Sequence, residues 1–486
     1  MSESKVDLSA DIPVREFTVR NAFALSFSDI SPIVGIYSAF GLGLAIAGPA
    51  FFWALPIVLI GQLLVSGVFG DLVSKWPFQG AVYAWARELG GSKLGWYTNW
   101  AYAWGLTIGL SFLAEAAATN LLPALGVNAP SKVLVLFVSI GIIVFGSLAN
   151  GIAGPFLKIL LYVSMTCELV ASAGIGFMLL FFHRIHPLSI LFSTQGTAHG
   201  LTWLRLPFLA MVGYIGWSFL GFEAGAAIAE EVQESRKVLP KAISLSLAAA
   251  GGLVMFACLG MILAVPDFGD IISGKDTSPI ATTLESALGS GVGRMFLFTV
   301  TIGFAASMIA VQASVTRSIW ATARDRALPF SGVLARLGGK EMVPRNSIAL
   351  TAVVSSALLL VNLGPSSAYA LLLSFTNAGF YISYCLPLVA LVLYRRRGKW
   401  TPGPSSMGKW SGPVAWIADI WVVLEAINIA WPRAIPGQPW WLNWGLVLMS
   451  GGLGVAGVAV SSWVFREGGA ALSMDHLEPA RDSEAS

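Results

Sequence analysis

The sequence predicts an all-α integral membrane protein of about twelve transmembrane helices, and three observations predict it. Of 486 residues, 56% are hydrophobic and only 11% charged, whereas a soluble domain carries roughly 25% charged residues. The hydrophobic residues fall in runs of about 20 that stop at charges, Pro or Gly, the length that crosses a hydrocarbon core of about 30 Å. These runs are continuously apolar and do not alternate as barrel strands would, so helices are the spans that satisfy the backbone in lipid.

Twelve runs lie near residues 22–46, 50–70, 94–118, 133–152, 156–182, 207–231, 242–265, 293–318, 347–363, 368–394, 413–432 and 441–464, and are numbered spans 1 to 12. Residues 1–21 are polar and lack the regions of a cleaved signal peptide, so they read as a retained cytoplasmic N-terminus. Residues 465–486, ending in DHLEPARDSEAS, read as a hydrophilic cytoplasmic tail with no packed structure, and no soluble enzyme domain is expected. Cys167, Cys258 and Cys385 fall inside spans, where a small thiol packs as an apolar group. Neither a disulfide framework nor a metal site is expected from them. The net charge of +3 reflects orientation and not nucleic acid. An even number of spans puts both termini on one side. Placing that side in the cytoplasm puts most Lys and Arg inside, including Arg395, Arg396, Arg397 and Lys399 and the set Arg317, Arg324, Arg326, Arg336, Lys340 and Arg345. Lys132, Arg184, Arg205, Lys275, Arg294 and Arg433 then face outside. The location expected is the cell (plasma) membrane, as in a bacterial inner membrane.

Spans 1 and 6 carry interruptions that a plain anchor does not need. In SFSDISPIVGI, residues 26–36, Pro32 removes an amide donor and Gly35 relaxes the backbone, which predicts unwinding from Ser31 to Gly35. In GYIGWSFLGFE, residues 213–223, Gly213, Gly216 and Gly221 are closely spaced. Paired interruptions in two halves point to a midplane transport site. The amphipathic stretch WPFQGAVYAWAREL follows span 2, and SPIATTLESALGS follows span 7 on the opposite side, as an inverted repeat requires. Residues 22–182 and 207–394 then form two inverted five-helix units, and 413–464 an accessory pair.

FSDISPIVGI with AGPAFFW, FGDLVSKWPFQGAVYAWARELGG, GWSFLGFEAGAAIAEE with VLPKAI, and WATARDRALPFS with VPRNSIAL occur in that order. SFTNAGFYISYCLPLVALVLYRRRG, GKWSGPV and LNWG close the chain. Together they resemble the amino acid, polyamine and organocation permease superfamily, and within it the amino acid and choline transporter branch, over nearly the whole chain. The resemblance implies a leucine-transporter-like fold with helices 1 and 6 broken, and transport of amino acids, γ-aminobutyrate, choline or related amines. The chain departs from the family pattern at Asp71, where Glu is usual, at Gln79, at Arg326 and at Asp29, where a small or uncharged residue is expected.

A helix broken at the midplane exposes amides at one end and carbonyls at the other, and a zwitterion supplies partners for both. The substrate carboxylate is expected on the amides of Ile33, Val34, Gly35 and Ile36, at the positive end of the outer half-helix. The amine is expected near Ser31 and the carbonyls of Gly216, Trp217, Ser218 and Phe219, with Phe222 shaping side-chain preference. Trp217 sits at the break, where the family places a closing aromatic, and its face also suits a cation. Trp96, Trp100, Trp440 and Trp441, near span ends, read as interfacial anchors.

The ionisable groups inside spans are almost all acids: Asp29, Glu115, Glu168, Glu223 and Glu425, against Lys158, which reads as snorkelling. Glu223, Asp29 and Glu168 are the candidates for coupling to a proton or cation, and Glu115 and Glu425 read as polar fillers. Ser307 and Thr301 of span 8 are weaker candidates to give a cation its oxygens. Proton or possible sodium coupling without a further cofactor is expected, for a small amine-bearing solute moving through the lipid bilayer, with no nucleic acid and no obligate protein partner. Choline or polyamine uptake, amine exchange and a non-transporting amino acid sensor are the alternatives. A channel lacks support because polar residues collect at two breaks. A membrane enzyme lacks it because His183, His186, His199 and His476 lie outside the spans, and ATARDRALP reads as an amphipathic cytoplasmic segment.

Overall fold

In a computed structural model of the chain, the described residues are 18–78, 80–127, 130–152, 163–227, 229–338, 343–363, 368–432 and 440–466. Gln79, Lys158, Lys340, Arg433, His476 and the two termini beyond residues 18 and 466 lie outside them. Among the described residues eleven helices are long and apolar enough to cross a membrane, and a bent helix pair at the start makes a twelfth. Span 1 comprises Val19–Ile30, Pro32–Tyr37 and Phe40–Ala47. Spans 2 to 6 are Pro49–Lys75, Ser92–Ala124, Lys132–Gly151, Val163–Phe182 and Gly200–Ala226. Spans 7 to 12 are Ser235–Ala264, Ser290–Arg324, Arg345–Leu363, Leu371–Arg396, Gly408–Ala430 and Gly445–Arg466. This is the all-α architecture expected, and no strand is present among the described residues beyond an isolated bridge between Gly338 and Val343.

Spans 3 and 8 outrun their apolar runs, with 33 and 35 helical residues, about 50 Å each at the helical rise. Their polar ends stay helical because they bond to protein and not to water. Asn99 Nδ2 donates to Thr322 Oγ1, Ser318 Oγ donates to Asn99 Oδ1 at 2.5 Å, and Tyr97 and Ser461 hydroxyls lie 2.8 Å apart. The first residues of ATARDRALP continue the helix of span 8 up to Arg324. The chain then turns through Arg326 at φ 56°.

Two short helices of the chain end in the same way, at a glycine. Short helices Val82–Gly90 and Pro279–Leu288 precede spans 3 and 8, and each is ended by a glycine with positive φ, Gly91 at 85° and Gly289 at 81°. A side chain in that backbone region is strained, so glycine stops one helix and starts the next at a sharp angle.

Span 3 packs along spans 8 and 10, and span 7 along spans 1, 2 and 5. The crossing of spans 3 and 10 is backbone to backbone: a Cβ on Gly379 would stand 2.6 Å from Gly105 Cα. Lipid gives helices no hydrophobic reason to associate, so close approach through small residues is what holds such pairs.

On the face that carries Thr18 and Arg466, Asp71 at the end of span 2 accepts from the Ser411 hydroxyl and from Met407 N at 2.9 Å, and pairs with Arg395 at 3.5 Å. Tyr83 donates to Asp325 at 2.9 Å beside Arg87, 3.7 Å from the same carboxylate. Burial, and then the Asp325 charge, raise the Tyr83 phenol well above its usual range. Two tryptophans expected at the lipid interface are corrected here. Trp96 is 2% exposed and donates to Ala327 O at 2.7 Å, and Trp100 donates to Leu453 O at 2.9 Å, so both are packing groups with satisfied indoles. Trp440 is exposed, as an anchor would be.

Replacing Gly379 by Val should force spans 3 and 10 apart and destabilise the fold by about 1–3 kcal/mol. Gly252→Ala, where a Cβ meets nothing within 4 Å, should be neutral. Thermal unfolding in detergent, followed by size-exclusion of the heated samples, reads both.

Candidate functional site

The break in span 1 is one residue wide. Val19–Ile30 is helical, Ser31 sits at φ 47° and ψ 98°, and Pro32 opens the next helix. Pro32 is the residue whose amide would have reached Ser28 O four residues back, and it has none. That carbonyl receives instead the Ser307 hydroxyl from span 8, at 3.3 Å. The expected unwinding from Ser31 to Gly35 is thus corrected: Ile33, Val34, Gly35 and Ile36 are helical, and Gly35 N already bonds Ser31 O at 2.9 Å. Gly35 is needed for close approach, since a Cβ there would lie 2.9 Å from Val254 Cγ2 and 3.2 Å from Ser218 O. The helix bends again by 43° at Ser38 and Ala39.

The amides at the start of Pro32–Tyr37 are engaged within the protein. Glu168 of span 5, fully buried, accepts from the Ser31 hydroxyl and from Ile33 N at 2.8 Å. Val34 N donates to Ser31 Oγ at 3.3 Å. A carboxylate on the first amides of a half-helix is stabilised by both hydrogen bonds and the helix dipole. Just beyond Glu168, span 5 widens into a π-turn at Val170–Gly174, where the Tyr37 hydroxyl donates to Ala171 O at 2.9 Å.

Span 6 breaks over a longer stretch. Leu209–Ile215 is helical, Gly216–Phe219 tightens into a 3₁₀ turn, Leu220 is extended and Gly221 takes φ 90°. Asn377 of span 10 donates to the carbonyls of Gly213 and Tyr214 at 3.1 and 3.2 Å, at the end of the helix that the break closes. Ser218 donates to Gly35 O at 2.8 Å and so joins the two breaks. Gly216 admits the ring of Tyr381, whose hydroxyl accepts from Gln62 at 2.7 Å. Trp217 packs edge-on against Phe112 and Phe380, with ring centroids 5.5 and 6.1 Å away, and its indole nitrogen is buried with no hydrogen-bond partner among the described residues. Phe219 is buried. Phe222 packs at a tilt against Phe69 and Tyr384, and its carbonyl accepts from Ser26 at 2.8 Å.

The predicted coupling acids therefore fall in two groups on either side of Ser31. Glu168 caps the outer half of span 1. Glu223 and Asp29 sit together at Gly221: Glu223 accepts from the hydroxyls of Tyr102, at 2.9 Å, and Tyr384, while Asp29 Oδ1 is buried with no hydrogen-bond partner among the described residues. A Cβ on Gly221 would stand 2.7 Å from Asp29 Oδ2, so glycine is required there by both space and φ. Tyr102, Tyr384 and Asn377 were absent from the sequence-derived set. Their signal was available as polar groups within spans, which lipid tolerates only where they have partners. Thr301 bonds its own helix at Leu297 O, 2.9 Å away, while Ser307 reaches span 1. Glu115 accepts from Asn362, and Glu425 accepts from Asn428, whose amide lies beside Gly213 of span 6. Among the described residues no three His, Cys, Asp or Glu gather as metal ligands.

Asn377→Leu should strand the Gly213 carbonyl, remove one of the bonds to Tyr214 O and lower stability by about 1–3 kcal/mol. Thr299→Ala, whose exposed hydroxyl bonds only its own helix, should be neutral. The unfolding midpoint in detergent checks this pair.

Comparison with known proteins gives this architecture its family. Residues 17–452 match the amino acid permease family. The amino-acid permease BAT1 of Arabidopsis thaliana is 25% identical, over 93% of this chain and 91% of its own. Amino-acid permease 2 of Neurospora crassa is 25% identical over 89% and 82%. A Candida albicans protein described as a candidate polyamine transporter is 24% identical over 90% and 83%. With twelve spans, two of them broken, and a match across nearly its whole length, the chain belongs to the amino acid permease family and is a multi-pass membrane permease.

Proposed function

We propose that this permease carries a small amine-bearing solute, an amino acid or γ-aminobutyrate, in symport with a proton by alternating access. One observation carries the reading: Asp29, Glu168 and Glu223 surround the two helix breaks, and among the described residues none of them pairs with a Lys or Arg. Unpaired carboxylates at that depth cost several kcal/mol unless a proton, a hydrogen bond or a cationic substrate meets them. The Glu223 and Asp29 pair, with its unpartnered oxygen, suits a transported positive charge. Trp217 offers a ring face to the same charge, an attraction of roughly 0.5–2 kcal/mol.

The two five-span units, residues 22–182 and 207–394, would move against each other about these breaks, with 413–464 as an accessory pair. The basic residues concentrate on the face of Thr18 and Arg466, which supports a cytoplasmic assignment for that face in a cell membrane. Polyamine uptake is the second reading, favoured by the three acids and by the description of the Candida relative.

Uptake into proteoliposomes tests the reading with labelled neutral, basic and acidic amino acids, γ-aminobutyrate, choline and putrescine, under inward proton or sodium gradients. Accumulation of an amine driven by the proton gradient is expected. Glu223→Gln should cut that accumulation at least about tenfold, on the order of 1.4 kcal/mol of lost hold on the transported positive charge. Saturable binding with no flux under any gradient or counter-substrate would instead make the protein a sensor.

A further inference from the structure

The carboxylate of an amino acid was expected on the amide of Ile33, and that amide is already held. Glu168 takes Ile33 N at 2.8 Å and the Ser31 hydroxyl beside it, both inside the bilayer depth and closed to water. A second carboxylate cannot use these donors while Glu168 remains charged and bonded there, because each N–H or O–H serves one strong acceptor and two carboxylates at contact repel.

We propose that Glu168 is a tethered stand-in for the substrate carboxylate, and that a proton on Glu168 is the condition for an amino acid to take its place. The inference rests on the transport reading and names the residue that couples the two cargoes. The balance is simple: a proton from the bulk adds to Glu168, the bonds from Ser31 and Ile33 pass to the substrate carboxylate, and the zwitterion and the proton occupy the site together. On release the substrate leaves, Glu168 loses its proton and closes the break again. The donors of Ser31 and Ile33 hold one carboxylate in both states, and the loaded site as a whole carries one more positive charge, that of the proton.

Among the described residues, the groups around Glu168 leave it as the carboxyl group that faces this position. From span 1 comes the Tyr37 phenol, committed to Ala171 O, and from span 7 the Cys258 thiol. From its own helix comes Cys167. Span 8 carries its charges, Arg294, Arg317 and Arg324, toward its ends. Asp29 precedes the break and feels Glu223 on the other side.

Matched pairs of ligands separate this from a purely structural cap: lysine with 1,5-diaminopentane, γ-aminobutyrate with propylamine, and leucine with 3-methylbutylamine. Binding to the purified full-length carrier is measured from pH 5 to 8, where the amines of these probes keep their protons. For a pair that binds, the carboxylate-bearing member should bind more tightly at low pH, weakening about tenfold per pH unit above the Glu168 titration. Its amine counterpart should lack that slope. Glu168→Gln should still bind the amino acid but with less than about a twofold change across the range. A wild-type slope retained in Glu168→Gln overturns the proposal. So does a slope removed by Glu223→Gln alone, which would leave proton symport standing and place its proton elsewhere. Should the Gln variant fail to fold, the wild type decides, since equal slopes for both members of a pair contradict the exchange. Binding of no member of any pair would defeat the transport reading itself.

Discussion

Hydrocarbon offers no water to a broken helix, so each backbone group released by the interruptions must find a partner, at a cost of several kcal/mol for each failure. The rest of the site follows from how this chain meets that demand. Pro32 withdraws the partner of Ser28 O, and span 8 answers with Ser307. The amide of Ile33 goes to Glu168 of span 5. The carbonyls before Gly216 go to Asn377 of span 10. Spans 1 and 6 are then tied to each other by Ser218 and Gly35. Three other helices thus hold the two broken ones through one or two polar bonds each.

Such bonds are suited to exchange. A packed apolar contact resists rearrangement because interiors are close-packed, whereas a hydrogen bond nets only about 0.5–1.5 kcal/mol and passes to another partner at little cost. Around the breaks lie tight crossings without polar exchange, as at Gly105 and Gly379. On the face of Thr18, denser networks such as Asp71 with Ser411, Met407 and Arg395 fix helix ends. The arrangement separates rigid crossings from a midplane whose ties are few and polar.

Much of the fold was legible because hydropathy reports burial in lipid directly. Twelve apolar runs gave twelve spans, and the Pro and Gly pairs gave both breaks. What the sequence hid was partner choice. Pro32 announced a break, yet Ser31 alone absorbs it, because Ser31 Oγ and Glu168 satisfy the first amides and let Ile33 to Ile36 stay helical. Glu168 stood out as an acid in a span, but its contact with residues 137 and 135 positions earlier cannot be read from spacing. Trp96 and Trp100 misled for a related reason: a tryptophan near a span end looks the same whether it meets lipid headgroups or a neighbouring helix. The polar lengths of spans 3 and 8 were underestimated because helices continue past the apolar run when protein supplies the bonds.

The central claim is that one carboxylate replaces another at the break of span 1. Infrared difference spectra of the carrier on adding a bound amino acid read this directly, through the stretch of a protonated carboxyl group. The account predicts a protonated-carboxyl band that grows with substrate and is missing in Glu168→Gln. A band that persists in that variant, or no such band in the wild type, would contradict it.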